Sequence, residues 1–555
     1  MTRGAAADPL RERAAPPAWA QLAVLACAVA LLWHSLGDHG LFPPDEGRYA
    51  AVSGWMASHG NWLAPEIRGQ LHITKPPLAY WAQAASIRLF GSTEFAVRAP
   101  SALASSLLLL ALFAFARRTA GALVATLAVG LVACMPLFEI VGRLAITDPM
   151  VALWWWCALC AGWLALRDAE PRHGWTAAFW AFTALLGLTK GPLLLGPPAI
   201  VAAWLLLAGR GREMLRLHPW FGLPLAVAPL AMVAWGFWAA NPERAMAVWR
   251  HEFIDRVAGG GHDDPWWQIP MSFVVGLFPA SAMLTLPWFN LSWRGALAAF
   301  RRGDLRALLL VAVVLPFLGF SVLRGTSPTY VLPLVAPTAM LVAMMLARWI
   351  DGSAEDAPAG TRMPDVRITS AVVMTAIGIG LPAATAVIVL RGKAPDWLPG
   401  WSLLWLAMPV VPAMVASWIA VAWWRRRELR LPALGAAFVA TLATWVGYHR
   451  AEDVAMRAMS TRAIAEAVPA GRPLAVVGLK DLGIDWCRGE WTAFPDEASG
   501  LDAWIAANPS GAVIVEDRVL RRMRSANGPS VGRLAVSGTF DAFMLKRVHL
   551  CDIAR

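Results

Sequence analysis

Long apolar runs, each about the length that crosses a bilayer and each closed by a polar joint, leave this chain one solvent in which to fold. They lie at Trp19 to Leu36 and at about 97–116, 121–138, 148–166, 175–189, 191–208, 219–239, 270–289, 307–323, 329–347, 368–390, 402–424 and 431–448. A backbone in hydrocarbon must satisfy its own hydrogen bonds, so these runs read as transmembrane helices, about thirteen in all. Composition agrees, since 58% of residues are hydrophobic, only 15% are charged and the mean hydropathy is +0.53. The expected fold class is a polytopic α-helical membrane protein, with residues 1–448 as the membrane body and 449–555 as a soluble domain.

With so few charges overall, the net charge of +11 fits basic cytoplasmic loops and anionic ligands; nucleic acid is excluded as a partner because no binding motif accompanies the charge. Arg3, Arg11 and Arg13 precede the first run, which is long and lacks a clear cleavage site, so it reads as an uncleaved helix with a cytoplasmic amino terminus. The clusters Arg117/Arg118, Arg167/Arg172, Arg210/Arg212/Arg216, Arg294/Arg301/Arg302/Arg306 and Arg425/Arg426/Arg427/Arg430 then fall on that same side. An odd number of spans puts the tail on the other side, periplasmic in a Gram-negative bacterium.

The first outer loop, 37–96, is too long for a plain connector. Within it Tyr49, Val52 and Met56 recur at helical spacing, as do Leu78, Trp81, Ala85 and Leu89 before Gly91, which predicts two amphipathic helices on the membrane surface. Ahead of the first, Pro43-Pro44 imposes an extended approach, Asp45 takes the N-cap position and Arg48 follows on the same face. Alone, this stretch fits equally a capped interfacial helix with a surface ion pair. Other outer joints are also polar: Glu139, Arg143 and Asp148 in the third, Thr189-Lys190-Gly191-Pro192 in the next, and Arg324 with Tyr330 around Gly325-Thr326-Ser327-Pro328. One ionisable group at a membrane edge says little; their gathering on one face suggests a site there.

His251, His262, Asp263, Asp264 and His72 are the candidate ligands of a divalent cation, although they lack fixed ligand spacing. Cys157 and Cys160 sit in an apolar run without partner ligands, and Cys487 and Cys551 are the two thiols of the tail that could pair. Beyond Tyr448, β-rich runs at Leu474 to Gly478, Ala512 to Val515 and a hairpin of Leu534 to Val536 with Ala542 to Leu545 alternate with helical stretches at about 454–467 and 498–507. An α/β layer without phosphate loop or nucleophile elbow is expected, which places the chemistry in the membrane body.

Five short motifs occur in order: Pro43-Pro44-Asp45-Glu46-Gly47-Arg48-Tyr49, Thr74-Lys75-Pro76-Pro77, Ala145-Ile146-Thr147-Asp148-Pro149, Leu188-Thr189-Lys190-Gly191-Pro192 and Tyr330-Val331-Leu332-Pro333-Leu334. Together they resemble the polyprenyl-phosphate-dependent glycosyltransferases of GT-C type, and among them the ArnT-like 4-amino-4-deoxy-L-arabinose transferases that modify lipid A. The resemblance implies a GT-C fold with periplasmic juxtamembrane helices, an undecaprenyl-phosphate-linked sugar donor, a lipid A acceptor and a location in the bacterial inner membrane, with lower outer-membrane charge and polymyxin resistance as consequences. It implies no obligatory cofactor. Where the family carries Lys-Leu-Pro-x-Tyr, this chain has Thr326-Ser327-Pro328-Thr329-Tyr330, so Arg324 is the candidate replacement for the missing lysine.

On this resemblance Asp45, Lys75 and Arg48 form the catalytic set, and Asp148, Lys190, Tyr330, Glu46, Tyr49 and Arg324 the substrate-binding set. A phosphate leaving group departs without a proton, so the reaction needs cations around the growing charge, a role suited to Arg48 and Lys75. Asp45 either orients the amino sugar or stabilises positive charge at the anomeric carbon; with a hydroxyl acceptor it would be a general base. Glu46 suits the positive end of its helix and supports the site rather than reacting. Two other readings stand beside this one, a protein O-mannosyltransferase or other polyprenyl-phosphate sugar transferase and, from a different class, a lipid or sugar transporter. The absence of an internal repeat and of charges at mid-depth disfavours transport.

Overall fold

The structure, a computed structural model, describes residues 15–42, 45–67, 70–72, 74–168, 170, 172–250, 265–284, 303–323, 326–350, 430–459, 461–469, 471–478, 486–487, 492–494, 500–525, 533–542 and 546–553. Among them, seven helices or continuous helical segments are long and apolar enough to cross a membrane: Glu94–Ala120, Asp148–Leu166, His173–Leu207, Pro219–Ala240, Leu305–Val322, Pro328–Arg348 and Arg430–Arg450. Ala18–Trp33 and Ala122–Ala133 are shorter apolar helices. The runs expected at 368–390 and 402–424 lie outside the described residues, and so do the loop histidines His251 and His262 with Asp263, Asp264 and Arg324.

Apolar side chains cover more than one face of these helices, and the excess points outward. Trp220, Phe221, Leu225, Met232 and Trp235 are exposed along Pro219–Ala240, an arrangement suited to lipid and costly in water. The inner helices enclose one large core whose bulkiest fully buried side chains include Trp156, Trp204, Tyr80, Phe138 and Phe179.

Proline and glycine divide the apolar runs more finely than hydropathy does. The run expected at 121–138 is the helix Ala122–Ala133 followed by a separate turn of helix, Pro136–Val141, because Pro136 has no amide to continue the ladder. The run at 270–289 contains Gln268–Gly276 and Ala280–Leu284, parted around Pro279. The runs at 175–189 and 191–208 meet in a 3-10 stretch, Gly191–Leu195, between helices His173–Lys190 and Gly196–Leu207.

Both helices expected in the first loop are present, as Asp45–His59 and Leu78–Phe90. Their inner faces pack on each other: the rings of Tyr49 and Tyr80 stack with centroids 5.1 Å apart, and the Ser53 hydroxyl donates to Gln83 Oε1 over 2.9 Å. Between them Glu66–Ile67 and Gln70–Leu71 form a small antiparallel ladder. Thr93 then caps Glu94–Ala120 by accepting from the Ala96 amide.

The helix Arg430–Met459 carries the chain past position 448 into the tail, where Thr461–Glu466 follows. The tail holds a five-stranded sheet in the order Thr492–Phe494, Leu474–Val477, Ala512–Glu516, Lys546–Ile553, Leu534–Ala542. The first three strands are parallel and the last two join antiparallel. The hairpin expected as Leu534 to Val536 with Ala542 to Leu545 is present but its second strand is misplaced in that reading: the first strand runs on through Ala542 and the second is Lys546–Ile553, with Leu534 paired to Ile553 and Ala542 to Lys546. An exposed or half-exposed polar position such as Thr539 continues a strand once its neighbour supplies the ladder. Cys487 and Cys551 are both free thiols.

Candidate active site

The site is assembled at the amino-terminal end of Asp45–His59. Asp45 opens this helix as its first residue, and its Oδ1 accepts a hydrogen bond from the Arg48 guanidinium over 2.5 Å, one turn on. The pair is well exposed, at 56% for Asp45 and 34% for Arg48. Exposed pairs contribute roughly 0–1 kcal/mol, so an incoming phosphate can compete for Arg48 at small cost.

Glu46 points the other way, into the protein. Its carboxylate accepts from Arg98 Nε at 2.9 Å, from the second Arg98 nitrogen at 2.7 Å, and from the amides of Ala145 and Phe42 at 2.7 Å each. Arg98 also donates to the carbonyls of Leu36, His39 and Gly40. Burial alone would raise the Glu46 carboxyl, but the Arg98 charge and these four hydrogen bonds outweigh it and hold the group below its ordinary value. Glu46 is thereby occupied in fixing the helix. Arg98, which escaped notice inside an apolar run, is the key partner; a lone arginine at the mouth of a span was its signal.

From Arg48 a chain of contacts runs through three of the other motifs. The guanidinium carbon lies 5.6 Å from the ring centre of Tyr49, whose hydroxyl is 3.4 Å from Thr147 Oγ1. Thr147 donates to Asp148 Oδ2 at 3.3 Å, and Lys190 Nζ donates to Asp148 Oδ1 at 3.0 Å. The same ammonium sits 4.1 Å from the centre of the Tyr330 ring. Tyr330 is held by its 3-10 turn, whose first residues are capped by Ser327, and by a carbonyl of Thr326 that accepts from Gln268. Thus Arg48, Tyr49, Asp148, Lys190 and Tyr330 form one chain of contacts, with the buried Thr147 as a link not among the expected site residues.

Lys75 approaches from the second motif. Gly191, at φ +42°, turns the backbone so closely past this loop that an added Cβ would lie 3.9 Å from Pro76 Cγ. The electrostatic imprint of the loop is on His72, whose imidazole is pushed down to about 4 by burial and by the charges of Arg48, Arg244 and Lys75. Three cations thus act on one imidazole. Arg244, from the helix Pro242–Trp249, was not anticipated, since nothing in its local sequence marks it. Among the described residues no cluster of three or more histidine, cysteine, aspartate or glutamate side chains is set to hold a metal ion.

A helical body with several apolar spans, two loop helices and an α/β tail defines a fold shared with solved structures of ArnT. Over 96% of this chain and 98% of the other, at 19% identity and a TM-score of 0.76, it superposes on ArnT from Cupriavidus metallidurans bound to undecaprenyl phosphate. Residues 74–238 match the family described as dolichyl-phosphate-mannose-protein mannosyltransferase. The chain is 33% identical over 348 residues to an undecaprenyl phosphate-alpha-4-amino-4-deoxy-L-arabinose arabinosyl transferase of Edwardsiella ictaluri, covering 60% of this chain and 59% of that one. It is 35% identical over 323 residues to the protein of the same description from Aeromonas salmonicida, covering 56% of each. The matches span about three fifths of the length of these relatives.

Proposed function

We propose that this chain is an inner-membrane glycosyltransferase that moves 4-amino-4-deoxy-L-arabinose from undecaprenyl phosphate to a lipid A phosphate, with its site on the periplasmic side. The observation that carries the proposal is the joining of Arg48, Tyr49, Asp148, Lys190 and Tyr330 into one contact chain, beside the field of Lys75 and Arg244. In this reading the acceptor phosphate oxygen forms the new bond to the anomeric carbon from the face opposite the leaving group. The bond from that carbon to the donor phosphate breaks, and undecaprenyl phosphate departs with the electron pair. Arg48, Lys75 and Arg244 stabilise the charge on the two phosphates. Asp45, exposed at the rim, faces the sugar and stabilises its positive charge. Neither phosphate needs a proton, which fits a site built from cations and one exposed carboxylate.

The family match over residues 74–238 favours one second reading, transfer of mannose to protein. Mass spectrometry of lipid A from cells with and without the gene separates the two. A pentosamine increment on a lipid A phosphate that needs the gene is expected, together with its loss in Asp45→Asn and Lys75→Ala at unchanged protein level. Unaltered lipid A with altered glycoproteins would replace the first reading by the second.

A further inference from the structure

Among the described residues, two contacts of the tail reach the end of the molecule that carries Asp45, and neither takes part in the chemistry above. Arg462, just past the long helix Arg430–Met459, donates to both oxygens of Glu94 at 2.6 Å and also to Glu466 at 2.7 Å. Glu94 lies in the first turn of the helix that carries Arg98 one turn later. Separately, the indole of Trp486 lies against the backbone of the Asp45–His59 helix at Gly54. A Cβ built there would be 3.0 Å from Cζ3 and 3.2 Å from Cε3 of the ring, so any larger residue would press the indole outward from this seat. Trp486 also packs on the apolar cluster that contains Ala50, Val97 and Ala145. Those residues flank Glu46, Arg98 and the amide that Glu46 accepts from.

We propose that Trp486 and Arg462 are positioning residues for the transfer, setting the angle of the helix that presents Asp45 and Arg48. The proposal rests on the reading of that helix as catalytic. Gly54 and Asp45 are nine residues apart, about 14 Å along the axis. A tilt of roughly 4° about the Trp486 contact therefore moves Asp45 by about 1 Å, and a displacement of that size can cost on the order of 100-fold in rate. The two contacts grip the two helices joined by the Glu46–Arg98 bond, so together they oppose such a tilt.

The test uses the full chain in membranes, with donor-dependent transfer measured as kcat and KM beside the amount of folded protein. Trp486→Ala lowers kcat at least about tenfold while the donor KM stays within about threefold, and Trp486→Phe, which keeps a ring in the seat, restores most of the loss. Gly54→Leu lowers kcat as well by displacing the indole, and adding Trp486→Ala in that background recovers activity because the leucine fills the vacated seat. Wild-type kcat in Trp486→Ala overturns the proposal. Should Trp486→Ala fail to accumulate, Gly54→Leu decides, and wild-type kcat in that variant overturns it equally. A wild-type chain that transfers nothing refutes the catalytic reading instead; the contact is then read from thermal stability, where additive effects of Gly54→Leu and Trp486→Ala would remove it.

Discussion

At the scale of single residues, neighbouring carboxylates divide the work by the direction in which they point. Asp45 faces outward with one exposed partner, whereas Glu46 is surrounded by four donors and is essentially without solvent contact. Removing one member of a buried pair strands the other, at a cost of about 3–5 kcal/mol. Arg98→Ala is therefore expected to lower the thermal midpoint steeply and to reduce the membrane level, and Arg98→Lys to rescue little because an ammonium cannot replace the forked guanidinium. Normal stability in Arg98→Ala would contradict this account of how the helix is held. His72 provides a pH dependence with a definite sign. Its imidazole titrates at about 4 when folded against 6.5 otherwise, so the unfolded chain binds the proton first as pH falls. The stability present above pH 6.5 is lost progressively down to pH 4, by up to roughly 3 kcal/mol. His72→Gln should flatten the decline of thermal midpoint between pH 7 and pH 4.5; an unchanged slope would place the titration elsewhere.

At the scale of elements, most helices were legible because length and apolar content speak directly to a bilayer, and the loop helices because Tyr49, Val52 and Met56 share a face. Boundaries were less so. Pro136 and the Gly191-Pro192 pair break helices inside apolar stretches that hydropathy joins or divides bluntly. In the tail, the strand Thr492–Phe494 and the helix Asp517–Ser525 escaped the sequence reading, the first being three residues long and the second strongly charged. Its arginines face outward while Leu520 and Met523 alone are buried, too few to announce a helix. Gly191 allows an element-scale prediction. Its φ of +42° with ψ of −107° lies where a side chain is strained by about 1–3 kcal/mol, and it directly follows Lys190. Gly191→Ala is expected to shift the 3-10 turn and lower transfer several-fold with a modest loss in thermal midpoint. Full activity would mean that the turn tolerates rearrangement without moving the ammonium.

At the scale of the whole molecule, the motifs were visible in the sequence but their conjunction was not. Periodicity does not encode the packing that brings Tyr49 to Thr147 or Lys190 to Tyr330, and so Thr147 and Arg98 were found only through contacts between distant segments, and Arg244 through its charge acting on His72. The Asp148–Lys190 pair shows what that assembly contributes, because it joins two membrane helices at the place where Tyr330 from a third closes over the ammonium. Both side chains are largely buried, 9% and 13% exposed, so the pair is structural, and in the proposed transfer it is chemical as well. These roles separate in a double substitution. Lys190→Met alone leaves the Asp148 charge unpaired, and Asp148→Asn alone leaves the ammonium so; each is expected to cost about 3–5 kcal/mol in thermal stability and to abolish transfer. Combining them removes both charges, and the double variant should regain most of the stability, since a buried pair exchanged for neutral groups is close to neutral in energy. Transfer should stay lost, because a methionine cannot meet a phosphate. A double variant that regained both would reduce the pair to scaffolding, and one that regained neither would show that the three helices need the charges themselves to close the site.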